Sequence, residues 1–183
     1  MPWQFVRRLS TGSWILPGAR TIKPLKVTDD TLRLFKDSGC GYLNLSVESA
    51  SPKMLKQMQR GCTVEHIKQA LTSLSRSDIP FSVSLLFGAP GETPETIAET
   101  LAVIDELQVP QGVWVTVGIF LWSTYQKVLE DARSDGQISD NKELFSGANY
   151  ISIQLPKDYM VELVKTLKMK ENYDVQVNKL YAD

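Results

Sequence analysis

The sequence predicts an α/β protein assembled from parallel βα units, and three observations carry that prediction. Apolar and polar residues alternate with period two over residues 42–47, 81–87 and 113–122, as they do along strands. Between these stretches apolar residues recur at helical spacing. Several of the helical segments open on a residue able to cap a first turn, namely Thr28, Ser51, Thr63 and Thr93. Strand and helix in regular succession are the mark of parallel units. The order of strands in the sheet is not written in the sequence, so an open sheet and a barrel both satisfy it.

Residues 1–27 are weakly patterned, with Pro17, Gly18 and Pro24 interrupting one short apolar run, and stand apart from the α/β part, 28–183. Thr28 begins the first helix, and Asp29 and Asp30 suit its positive end. Leu32 and Phe35 give that helix an apolar side, and the glycines of residues 38–41 end it. Ser51-Pro52 places a cap before a proline at the first helical position, and starts a short helix that ends near Gly61. Thr63 caps a helix whose stripe is Val64, Ile67, Leu71 and Leu74. After Pro80 comes the second strand, and Thr93-Pro94 repeats the cap-and-proline device before a stripe of Ile97, Leu101 and Ile104. The third strand, 113–122, is long and rich in β-forming residues. A helix over 123–133 follows, then a looped region marked by Asp135-Gly136 and Ser146-Gly147. Met160, Leu163, Val164 and Leu167 mark a last helix, and residues 175–181 read as a final short strand.

The two faces of the strands differ. Leu43, Leu45 and Val47 oppose Asn44, Ser46 and Glu48; Phe81, Val83, Leu85 and Phe87 oppose Ser82, Ser84 and Leu86; Val113, Val115, Val117 and Ile119 oppose Trp114, Thr116, Gly118, Phe120 and Trp122. A doubly wound sheet buries both faces and reads apolar throughout. A barrel has one face under helices and an inner face that tolerates polar side chains near its mouth, so the split favours a barrel or part of one. In either architecture ligands sit at the carboxyl ends of the strands, where Glu48, Gly88 and Trp122 fall.

Composition narrows the class. The chain has 183 residues, 43% hydrophobic and 22% charged, with a net charge of -1. One globular domain is the expectation, with no general attraction to nucleic acid or to an anionic membrane. No run is long enough for a membrane span or a signal peptide, and a cytoplasmic location is expected. Two cysteines, Cys40 and Cys62, and one histidine, His66, cannot make an all-Cys/His metal site within the chain. Both cysteines read as small buried or turn residues, and His66, off its helix stripe, as a solvated one.

Two stretches can carry chemistry. Glu48 places a carboxylate at a strand end, where it can accept from vicinal hydroxyls or an amine, or serve only the helix that begins near Ser51. Gly88, Ala89, Pro90 and Gly91 form a stiff turn whose glycines let backbone approach a neighbour closely, and Glu92-Thr93 then start a helix whose free N–H groups could meet an anion. The same turn also serves as a plain strand-to-helix connection. It is neither a P-loop nor GxGxxG.

Taken together, residues 28–108 resemble the second half of the core domain of radical SAM enzymes, in the group that often carries a cobalamin-binding domain ahead of the core. The resemblance rests on Ser38-Gly39-Cys40, Val47-Glu48-Ser49, Met58-Gln59-Arg60-Gly61 and Gly88-Ala89-Pro90-Gly91-Glu92-Thr93, in that order and spacing. It implies a partial (β/α)6 barrel whose three strands are the fourth to sixth. It implies S-adenosylmethionine as cofactor, with Ser46 and Glu48 toward the ribose or methionine part. Gly88, Ala89, Pro90 and Gly91 would lie beside adenine, and residues 120–122 would form the remaining wall. The family's CxxxCxxC motif is not in the 183 residues, nor is its Gly-Gly-Glu motif, and Leu121-Trp122-Ser123-Thr124 stands where many relatives have a Pro-Gly-Thr-like turn. Without three thiolates a four-iron four-sulfur cluster with an open iron has no ligands here. The expectation is a fragment or subunit of a radical SAM enzyme, inactive alone and completed by an N-terminal half or by a second copy. The alternatives are a non-catalytic scaffold module that dimerises or docks a partner, and an unrelated small α/β protein whose Gly-rich turn is only structural.

Overall fold

A computed structural model describes residues 21–107, 112–120, 126–137 and 149–177. Its main sheet has five strands, all parallel: β1 (Thr21–Ile22), β2 (Leu43–Glu48), β3 (Phe81–Phe87), β4 (Val113–Val117) and β7 (Tyr173–Val177). The strands lie side by side in chain order, β1-β2-β3-β4-β7, with none of the reversal that defines a doubly wound sheet. A two-stranded antiparallel sheet, β5 (Ile119–Phe120) with β6 (Asn149–Tyr150), stands beyond the end of β4. The helices are α1 (Asp29–Asp37), α2 (Pro52–Gln57), α3 (Val64–Arg76), α4 (Pro94–Glu106), α5 (Gln126–Ser134) and α6 (Lys157–Lys168).

The predicted split between strand faces is present. Leu43, Leu45, Val47, Phe81, Val83, Leu85, Phe87, Val113, Val115 and Val117 are all buried, in one cluster with Ile67, Leu71 and Leu74 of α3, Ile97 and Ile104 of α4, and Met160, Val164 and Leu167 of α6. The opposite face carries Asn44, Ser84, Trp114 and Thr116, none of them fully buried, with Trp114 45% exposed, and also Ser46 and Ser82, which are buried. A parallel sheet with one apolar face under helices and one polar, open face is an arc of barrel wall. Asn44 and Ser84 satisfy each other across that inner face, with Asn44 Nδ2 donating to Ser84 Oγ at 2.7 Å.

Local chemistry sets the element ends much as the sequence indicates. Thr28 Oγ1 accepts from Thr31 N, and α1 ends through Gly39, at φ +75°, with Cys40 N donating back to Phe35 O. At α3, Thr63 Oγ1 accepts from His66 N while His66 Nδ1 accepts from Thr63 N at 3.1 Å, a reciprocal capping box. His66 is thus an exposed capping residue.

Three boundaries differ from the sequence expectation. The stretch 113–122 is not one strand: β4 stops at Val117, Gly118 turns the chain at φ +88°, and β5 pairs with β6 in the second sheet. The short helix after Ser51 ends at Gln57, because Gln59 already takes a positive φ of 52° ahead of Gly61. Part of the weakly patterned leading segment joins the sheet, as Thr21 and Ile22 pair with Asn44 and Leu45. Residues 1–20, 108–111, 121–125, 138–148 and 178–183, with the expectations for Leu121, Trp122, Ser146-Gly147 and the end of the tail, lie outside the described residues.

Candidate functional site at the strand ends

The carboxyl ends of β2, β3 and β4 form one edge of the sheet, and the sequence-predicted residues gather there in two groups. The first is built around Glu48. The β2–β3 register slips between Ser46 and Glu48, so Ser46 pairs with Ser84 while Glu48 pairs with Leu85. Glu48 sits at φ +64°, a left-handed conformation that a residue with a Cβ adopts at a cost, and Ser49 N donates to Val47 O at 2.8 Å across it. This tight turn directs the side chain back along the polar face. There the Ser46 hydroxyl donates to Glu48 Oε1. Arg60, reaching in from the segment between α2 and α3, donates from Nη2 to Ser46 O at 2.7 Å and to Ser46 Oγ at 3.0 Å, and stands 4.0 Å from Glu48 Oε1. The Glu48 side chain remains 25% exposed. A carboxylate has about four acceptor sites, so the group keeps capacity for an incoming hydroxyl or amine.

The second group is the loop Gly88 to Gly91. Gly88, at φ +99°, lets β3 end against β4: a Cβ there would lie 3.3 Å from Gly118 N and 3.4 Å from Ile151 Cγ1. Ala89 is buried. The loop's polar groups are largely consumed within the chain. The buried Glu92 carboxylate accepts from Gly88 N and Ala89 N, Glu92 N donates to Ala89 O, and Ser152 N donates to Gly88 O. Gln57 Nε2 donates to Pro90 O and fills the space beside Gly91, where a Cβ would meet it at 2.5 Å. Ser152 Oγ donates to Glu92 O at 2.9 Å, clasping the loop from the other side. Burial pushes the Glu92 carboxyl up to about 7, against the opposing pull of the two loop N–H groups, and its Oε1 has no partner. The start of α4 is closed by its own threonines, with Thr96 N donating to Thr93 Oγ1 and Thr93 N to Thr96 Oγ1, so those N–H groups are not open to an anion. Gly88 and Ala89 are buried, so Pro90 and Gly91 are the partly exposed members of the loop.

Ser46 and Glu48 therefore stand together, on a strand next to the Gly88–Gly91 loop. Arg60, Glu92, Gln57 and Ser152 were not singled out as site residues in the sequence. Arg60 and Glu92 lie inside stretches that carried the resemblance, which was the available signal. Gln57 and Ser152 reach the loop from 33 and 60 residues away in sequence, a separation no local pattern reveals.

The cluster that the resemblance implies does not fit these residues. Such a site takes three thiolates. The sequence has two cysteines, both buried, and the Cys40 thiol is turned to Tyr42 O at 3.3 Å. Among the described residues no group of three His, Cys, Asp or Glu side chains could hold a metal. The nucleoside part of S-adenosylmethionine does fit the donor set, since a partly exposed carboxylate at a strand end lies beside an apolar, glycine-shaped loop.

Comparison with known proteins agrees with this geometry. The sequence profile of the radical SAM superfamily matches residues 19–104. A tRNA-2-methylthio-N(6)-dimethylallyladenosine synthase from Clostridioides difficile is 25% identical over 157 residues, 80% of this chain and 32% of that protein. A ribosomal protein uS12 methylthiotransferase from Protochlamydia amoebophila is 30% identical over 104 residues, 55% of this chain and 21% of the relative. The chain thus spans about a third or less of these curated relatives. Among solved structures, the radical S-adenosylmethionine methyltransferase TsrM from Kitasatospora setae superposes with a TM-score of 0.65 at 17% identity, over 88% of this chain and 38% of that one. Coproporphyrinogen III oxidase from Escherichia coli superposes with a TM-score of 0.55 at 21% identity, over 81% and 31%. At such identities the structural likeness speaks for the fold, and the fold is that of a partial barrel. Through residues 19–104, just under half of its length, the chain matches the radical SAM superfamily, and it resembles the carboxyl-terminal half of that core without the CxxxCxxC motif.

Proposed function

We propose that this chain supplies the adenosine side of an S-adenosylmethionine site in a radical SAM enzyme, with Glu48, braced by Ser46 and Arg60, receiving ribose hydroxyls or the methionine amine. The loop Gly88, Ala89, Pro90 and Gly91 offers the adenine an apolar edge. The observation that carries this reading is Glu48 itself: a costly left-handed turn spent on aiming a partly exposed carboxylate at the mouth of a barrel wall. The relatives support the cofactor side in particular. They are named for a tRNA and for a ribosomal protein, so the part they share with this chain is not tied to one substrate.

In the parent family the cluster supplies the electron that cleaves S-adenosylmethionine to a radical. No such step is assigned to this chain, whose residues do not hold that cluster. The remaining strands and the three thiolates come from a completing segment, on a longer chain or on a separate polypeptide. The open polar face of the sheet supports this, because parallel sheets are otherwise covered on both faces.

The test is a calorimetric titration of the chain with S-adenosylmethionine, beside Glu48→Ala. Half a site predicts saturable binding on the order of millimolar, weakened about tenfold by the substitution, as for one lost charge-assisted pair. No saturable heat, or heat unaffected by Glu48→Ala, overturns the reading.

A further inference from the structure

We propose that Thr100 is a positioning residue that couples the two halves of the candidate site, the turn at Glu48 and the Gly88–Gly91 loop. The proposal rests on the cofactor reading for its functional meaning, but its geometry stands without it.

Thr100 lies in the middle of α4 and is fully buried, as are Ser49 and Ser51. Thr100 Oγ1 is 2.9 Å from Ser49 Oγ, accepts from Ala50 N at 3.0 Å, and donates to Thr96 O at 3.1 Å. Ser51 N donates to Ser49 Oγ at 3.1 Å. One arrangement of protons satisfies all four contacts. Thr100 spends its only hydrogen on Thr96 O, so Ser49 donates to Thr100, and Ser49 accepts from Ser51 N. The direction of each bond is fixed by the next. The three residues that follow Glu48 are thereby fastened to a single hydroxyl on α4.

The other end of that helix begins at the loop. Thr93, Thr96 and Thr100 fall on one face of α4 at spacings of three and four. Thr96 Oγ1 donates to Thr93 O and accepts from Thr93 N, both at 2.9 Å, and Thr93 follows Glu92, which holds Gly88 N and Ala89 N. A second link closes the circuit, as Gln57 at the end of α2 donates to Pro90 O. The strained turn at Glu48 and the loop beside it are thus parts of one braced unit. Thr100 Oγ1 is the atom shared by three of the four contacts that fasten the Glu48 turn to α4, and nothing in the sequence marks it: a threonine on a helix reads as an ordinary core or capping residue.

The test is amide hydrogen exchange on the chain, its Thr100→Val and Thr100→Ser variants, and Glu48→Ala, with S-adenosylmethionine affinity measured alongside. Valine keeps the shape and removes the hydroxyl, whereas serine restores it. Coupling predicts that Thr100→Val speeds exchange at Gly88 and Ala89, which do not touch Thr100, by about tenfold. Exchange within β3 and β4 stays unchanged, and serine reverses the effect. Unchanged Gly88 and Ala89, or a rise spread evenly through the sheet, overturns the inference and marks Thr100 as a general packing residue. If the valine variant does not fold, Ser49→Ala, which breaks the same chain of hydroxyls from its other end, is read in the same way. Where the chain binds S-adenosylmethionine, Thr100→Val is expected to weaken it and to add less than its full effect in Glu48→Ala. Full additivity overturns the coupling. Absence of binding by the unmodified chain tells against the cofactor reading alone, and the exchange result still decides the role of Thr100.

Discussion

Glu48 shows how a functional residue departs from what folding alone would choose. At φ +64° the favourable residue is glycine, and a Cβ there costs about 1 kcal/mol. Glu48→Gly and Glu48→Ala both remove the carboxylate, but only alanine keeps that cost. In urea unfolding, Glu48→Gly is expected to be more stable than Glu48→Ala by about 1 kcal/mol, with ligand binding weakened in both. Equal stabilities would mean that the turn is not strained. Glu92 is the opposite case, a carboxylate whose work is internal. Its ordinary value of 4.5 is raised to about 7 by burial. Below pH 4.5 it is protonated in both the folded and the unfolded chain. Between 4.5 and 7 the unfolded chain ionises it and the folded chain does not, so stability falls as the pH rises through that window. Above 7 the full penalty applies, about 3 kcal/mol. Glu92→Gln keeps an oxygen for Gly88 N and Ala89 N and removes the charge. Denaturation followed from pH 4.5 to 8 is expected to show this downward slope in the parent and a flatter one in the variant.

At the scale of elements, the strand-to-helix junctions set the geometry of the site, and they show what a sequence can and cannot disclose. The β3 strand was legible at both ends, because alternation, Pro80 before it and Gly88 after it are local signals. The caps at Thr28, Thr63 and Thr93 were legible for the same reason. The extent of β4 was not. Val113 to Trp122 alternates without a break, and only Gly118, packed against Gly88, shows why the chain leaves the sheet there. Likewise the glycine-rich turn could be read as a loop laid against a ligand, but the sequence could not say that Glu92, Gln57 and Ser152 already occupy its polar groups. Those contacts join segments 3 to 60 residues apart. Gly88 and Gly61 provide a direct comparison. Both have positive φ, but a Cβ at Gly61 meets nothing within 4 Å while one at Gly88 meets the Gly118 backbone. Gly61→Ala is expected to cost about 1 kcal/mol, the conformational term alone. Gly88→Ala is expected to cost about 2 kcal/mol, because the Gly118 backbone must also give way. Equal losses in thermal unfolding would show that close packing at Gly88 is unimportant.

At the scale of the whole molecule, the five parallel strands among the described residues make an open wall. Their helices cover one face, and the inner face presents Asn44, Ser84, Thr116 and the exposed ring of Trp114. The strand-end edge of that wall carries both groups of the candidate site, while a separate groove between α2 and α3 is lined by Leu55, Cys62 and Val64. The two locations make the central claim decidable in one measurement: amide chemical-shift mapping of the chain during titration with S-adenosylmethionine. The account predicts saturable shifts confined to the amides of Ser46, Glu48, Gly88, Ala89 and Gly91. Shifts at the α2–α3 groove instead, or none at the strand ends at millimolar ligand, would contradict it.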